Sequence, residues 1–128
     1  MRRFSLPFAL AVVLAAAVAF AEKPIVQEFQ PLGASTVIGE ARLNSMPQGT
    51  KIQVKLDNLE PGVEYVALLF SDGTCSGLTP TVVAHFTAKN PGNGGFNEVV
   101  SASIDDVVLG SISIARADDQ SIALACTQ

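Results

Sequence analysis

The chain has 128 residues, 48% of them hydrophobic, with a formal net charge of −4, two cysteines, one histidine and no tryptophan. An acidic balance without a basic cluster speaks against nucleic acid and anionic membrane as partners, since both are held by grouped Lys and Arg. One histidine cannot furnish a site that needs several imidazoles converging on one ion.

The first 21 residues read as a secretory signal. Arg2 and Arg3 give a positive start, residues 4–18 an apolar core, and Ala19-Phe20-Ala21 a small-x-small cleavage site. The apolar run is short for a membrane span, and Glu22-Lys23-Pro24 follows it directly. Cleavage of 21 residues from 128 leaves 107, the size of one domain over residues 22–128, and loss of two arginines takes the charge from −4 to −6. The expected product is periplasmic or secreted and has no membrane anchor. In that oxidising compartment two cysteines are most simply one disulfide, Cys75 with Cys126. Closing a loop of 51 positions (126 − 75) removes about 4 kcal/mol of unfolded-chain entropy.

Nearly every later segment alternates with period two, and none sustains a helical period over three turns. Residues 25–29 read as a first strand ending near Pro31. A second follows, with Val37, Ala41 and Leu43 on one face and Ile38, Glu40 and Arg42 on the other, up to Met46-Pro47-Gln48-Gly49. Ile52, Val54 and Leu56 point inward between Lys51, Gln53, Lys55 and Asp57, the clearest half-buried strand. Pro61 and Gly62 preset a corner, because proline fixes φ and glycine tolerates positive φ.

Residues 63–70 then form a strand that is apolar on both faces apart from Glu64. Val66, Leu68 and Phe70 are expected to join the core. Tyr65, Ala67 and Leu69 must then be covered by loop 71–80, with Leu78 and Val82 available, or serve as a contact face for another molecule. Strands are expected over residues 81–88, 96–104, 109–115 and 121–127, joined by turns at residues 89–95 and 116–120. The sum is an all-β Greek-key antiparallel sandwich or barrel of seven or eight strands.

These residues carry a resemblance. Val37-Ile38-Gly39, residues 49–59 followed by Pro61-Gly62, Gly73-Thr74-Cys75, Phe86-Thr87-Ala88 before a Gly-rich turn, Gly110 before a strand running to Ala117-Asp118-Asp119, and Leu124-Ala125-Cys126 follow one another as in a known fold. In that order the chain resembles the copper/zinc superoxide dismutase-like β-sandwich family over most of residues 22–128. The family joins a loop cysteine to one in its last strand, where Cys75 and Cys126 stand. Its metal ligands are missing. The Gly-x-His-x-His positions align with Ala67 and Leu69, the loop of zinc and bridging ligands is reduced to residues 76–80, and a later histidine falls at Ile114 or Ala115. The substrate-guiding arginine falls at Ala123 or its neighbour. Asp118 keeps its place without histidines to orient. Leu59-x-Pro61-Gly62-Val63-Glu64-Tyr65 also resembles the corner of fibronectin type III domains, although the tryptophan usual there is absent; chordin-type domains are a looser third likeness.

The remaining polar residues have plain structural explanations. His85 is read as a partly exposed strand residue, and Asp105-Asp106 and Asp118-Asp119 as turn aspartates in preference to a calcium site. Ser111, Ser113 and Ser121 lack a Gly-x-Ser-x-Gly elbow. The expectation is therefore a non-catalytic binding or structural module with no metal or cofactor, a protein partner, and Tyr65, Ala67 and Leu69 as contact face. The rival is a metal-binding antioxidant or copper-handling protein using His85, Met46, Cys75 or Cys126.

Overall fold

The computed structural model describes residues 23–127; the expected signal segment, residues 1–21, lies outside the described residues. The elements run β1 (Ile25–Pro31), β2 (Ile38–Met46), β3 (Gly49–Asp57), β4 (Glu64–Phe70), β5 (Thr81–Thr87), β6 (Gly94–Val100), α1 (Ile104–Leu109), β7 (Ser111–Arg116) and β8 (Ala125–Thr127). Among the described residues all eight strands pair antiparallel in one sheet of order β5-β4-β7-β8-β1-β2-β3-β6. The fold is thus all-β, a nearly closed barrel. Among the described strands β3 to β4 and β6 to β7 cross over others and β5 to β6 joins the two edges of the sheet, which winds it as a Greek key.

Alternation explains the long strands. In β3, Thr50, Ile52, Val54 and Leu56 are buried while Lys55 and Asp57 face solvent, and in β2 Ala41 and Leu43 take the inward phase. They share one interior cluster with Phe29, Ile112 and Ile114, all buried. Burying side chains of this size contributes about 1.5–3 kcal/mol each relative to exposure. Where β6 meets β3, Gly95 leaves no room for a side chain, since a Cβ there would run into the Val54 carbonyl. That close approach suits the strong coiling that a closing sheet needs.

The sheet stays open between β5 and β6. Side chains bridge this seam: the rings of Tyr65 on β4 and Phe86 on β5 are 5.9 Å apart, and those of Phe86 and Phe96 on β6 are 5.6 Å apart. At the end where β6 stops and β7 starts, α1 lies across the barrel and buries Val107 completely.

The helix departs from the expected turn at residues 105–106 and from the expected start of a strand at Leu109. The Ser103 hydroxyl accepts the Asp106 N–H at 3.2 Å, and Asp105 and Asp106 occupy the first turn, where the helix dipole favours negative charge. The last strand is also shorter than expected. Residues 121–124 are bends and turns, and only Ala125–Thr127 pairs. Of the sandwich and barrel forms expected from sequence, the chain takes the barrel-like one, with a ladder that runs unbroken from β5 to β6 and is open only between those two strands.

Candidate functional site

The corner before β4 forms as its residues dictate. The Val63 N–H donates to the Glu60 carbonyl at 3.2 Å, and Gly62 at φ +82° takes the third turn position, as in a type II turn led by Pro61. The corner is tied to the start of the turn after β5 by Gly62 N–H to the Ala88 carbonyl and Ala88 N–H to the Val63 carbonyl, both 3.0 Å. Tyr65 completes it, its hydroxyl accepting the Glu60 N–H at 2.9 Å.

The phase of β4 is opposite to the one expected. Tyr65 and Ala67 are buried in the main barrel core, with Leu69 packed against it. They are therefore interior residues and not a contact face. Val66, Leu68 and Phe70 point outward, where they form a second apolar cluster with Ala115, Leu32, Cys75 and Cys126. Loop 71–80 covers that outer cluster, and it does so with Cys75. Leu78 and Val82 do not serve as cover, being 90% and 51% exposed.

Cys75 and Cys126 are joined in a disulfide with Cα atoms 6.1 Å apart. Ser111 pins the same loop a second time: its hydroxyl donates to the Asp72 carbonyl at 2.7 Å and accepts the Cys75 N–H at 2.8 Å. Beside the disulfide lies a cavity of about 250 Å³, lined by Leu68, Cys75, Pro80, Ser113, Gln120 and Ala123 among others. Among the described residues neither a charged group nor an imidazole lines it. Of the larger depressions, about 460 Å³ each, one lies over β2, β3 and β6 among side chains such as Glu40, Arg42 and Lys55, and Lys55 lines the other two as well.

The residues considered for metal binding are not brought together. Both cysteine sulfurs are in the disulfide, Met46 ends β2, and His85 stands exposed on β5 with Nδ1 3.4 Å from the Glu64 carboxylate. The acidic pairs lie at opposite ends of β7, Asp105-Asp106 in α1 before it and Asp118-Asp119 after it. Among the described residues no three of His, Cys, Asp and Glu are placed to hold a metal ion. Comparison with protein-family models, curated proteins and solved structures returns no match.

A polar network at the corner has no forerunner in the sequence pattern. Arg116, paired with Tyr65 in the β4–β7 register, donates to Asp118 from Nε at 3.0 Å and from Nη2 at 3.2 Å, and to Glu60 from Nη1 at 3.3 Å. Its nearness to Glu60, 56 positions away, depends on strand pairing that no local motif announces. The Asp118 carboxyl is held below its ordinary value, chiefly by the hydrogen bonds from Arg116 and further by its charge. A carboxyl more acidic in the folded than in the unfolded chain stabilises above the unfolded value, and this is lost as pH falls through the folded value. The pair is exposed, so the effect is small. Asp118→Asn is expected to lower the thermal midpoint slightly at neutral pH and to flatten its decline in acid. An unchanged acid decline in a pH series of melting curves would contradict this.

Proposed function

We propose that this is an exported, non-catalytic β-barrel protein of the superoxide dismutase-like type that has lost its metal ligands, and that it serves as a binding or structural module. The observation that carries the reading is the outer face of β4. Beneath the disulfide loop stand Val66, Leu68 and Phe70, with Ala115 beside them on β7, while Ala67 and Leu69, which the resemblance sets at the metal positions, face the barrel interior. None of these side chains has a donor atom for a metal, and a redox centre needs several such donors around one ion. The Greek-key winding and a disulfide from the loop after β4 to the last strand support the same family reading. The disulfide also fits an oxidising compartment outside the cytosol.

A fibronectin-type reading is less well supported, because such domains divide their strands between two sheets while this chain keeps one continuous ladder. A copper-handling role would need more than the single Glu64 carboxylate beside His85, and among the described residues no third His, Cys, Asp or Glu joins them.

Calorimetric titration of the oxidised protein with copper(II) and with zinc separates the readings. The expected result is weak binding without a fixed stoichiometry. One tight site per chain would overturn the proposal and restore the metal-handling alternative.

A further inference from the structure

β5 borders the open seam, pairing with β4 and with no second strand among the described residues. Its outer row of backbone N–H and C=O groups has no ladder partner among the described residues, and it is the Phe86 ring that reaches across the seam to Phe96. Sheet edges of monomeric proteins are ordinarily protected by Lys, by other charges, by Pro or by irregular backbone. Thr81-Val82-Val83-Ala84-His85-Phe86-Thr87 contains no Lys, Arg, Asp, Glu or Pro and is rich in β-branched residues. The opposite edge, β6, has Gly94-Gly95 and Glu98. One register shift interrupts β5, opposite Ala67 and Leu68, and it leaves Ala84, His85, Phe86 and Thr87 in regular pairing with β4.

Apolar side chains gather beside this bare edge. Val82 lies on it, 51% exposed, and Leu78, in the loop that leads into it, is 90% exposed. Leu109, 75% exposed, stands across a groove of about 390 Å³ whose lining includes Thr79, Thr81, Leu69 and Phe70.

We propose that β5 pairs antiparallel with β5 of a second copy of this chain across a two-fold axis, so that one sheet runs through a dimer. A two-fold axis perpendicular to an edge strand makes its self-pairing antiparallel by symmetry, and each residue then meets the strand's own composition. That composition is what selects a second copy as the occupant. The chain carries a net charge of −4, so most pairings of its surface with itself bring like charges together, whereas β5 offers an edge without acids. Pairing satisfies the free backbone groups and removes Val82 and Leu78 from water. The inference is independent of the function proposed above, because a monomer would overturn it and leave the absence of a metal site untouched.

Sedimentation velocity of the oxidised protein over a range of concentrations, with amide exchange measured in parallel, tests this. The expected result is a species of twice the chain mass in which β5 amides exchange more slowly as concentration rises. Val82→Lys combined with Thr87→Lys, both at exposed positions, is expected to weaken the dimer at least about tenfold and to leave the melting curve of the monomer unchanged. Val99→Lys, on the exposed side of β6, is expected to leave the dimer intact. A monomer at every concentration would overturn the proposal. So would a dimer broken by Val99→Lys and not by the β5 pair, or one whose β5 amides exchange at the monomer's rate.

Discussion

Replacing both Cys75 and Cys126 by Ser is expected to lower the unfolding free energy by about 4 kcal/mol, the chain-entropy value for a loop of this length. For a domain of about 100 residues, at roughly 4–8 °C per kcal/mol, this corresponds to a fall of about 16–32 °C in the thermal midpoint. The disulfide does more than shorten the unfolded chain. Its loop is the cover over Val66, Leu68 and Phe70, and without it the Ser111 hydroxyl holds the loop through two hydrogen bonds alone. Each such bond contributes only about 1 kcal/mol net. The loop in the double variant should therefore open locally before the barrel unfolds, and protease should cut within residues 71–80. Urea denaturation of the two forms measures the difference. A loss below about 1 kcal/mol would mean that the loop is held by something other than its sulfur link.

Tyr65→Ala is expected to cost about 3–5 kcal/mol, as the truncation of a buried aromatic ring does. Tyr65 is 3% exposed, stacks on Phe86 and accepts the Glu60 N–H at the corner. Tyr65→Phe keeps the ring and gives up the hydrogen bond, so about 1 kcal/mol is expected from it. The pair of variants separates an interior from a surface role. A contact-face tyrosine would lose partner affinity on truncation and leave the melting temperature nearly unchanged. A large loss of stability in the alanine variant, mostly recovered in the phenylalanine variant, is the signature of the core position.

The reversed phase of β4 shows where sequence reading stops. In β3, polar and apolar residues alternate without a break, so the inward set Ile52, Val54 and Leu56 is legible from spacing alone. In β4 both faces are apolar because both are buried, one in the barrel and one beneath the disulfide loop. Period-two contrast vanishes there, and with it the usual marker of orientation. One marker survives. Glu64 is exposed and shares its phase with Val66, Leu68 and Phe70, so the single charge of the strand labels that face as the outer one. Read in this way, the residues aligned with the metal positions, Ala67 and Leu69, are interior, and the loop covers their neighbours instead.

The helix was hidden for a different reason. α1 has six residues, less than two turns, and one fully buried side chain, Val107, so no 3.6-residue period has room to develop. Its signal is local: Ser103 three positions before Asp106, with acids in the first turn. The terminal strand failed at its margin. Ser121 and Ile122 alternate as a strand should, yet they turn back after the bridge between Arg116 and Asp119, Ile122 bonding the Asp119 carbonyl, and the strand ladder resumes only at Ala125. The disulfide, by contrast, was legible from the count of cysteines together with the expected compartment.

A native mass spectrum of the protein purified from its own compartment, without chelator or reductant, tests the central claim most directly. The expected mass, per chain in monomer or dimer, is that of the polypeptide with two hydrogens lost to the Cys75–Cys126 bond and no metal added. A stoichiometric increment of copper or zinc, or a mass that keeps both thiol hydrogens, would contradict it.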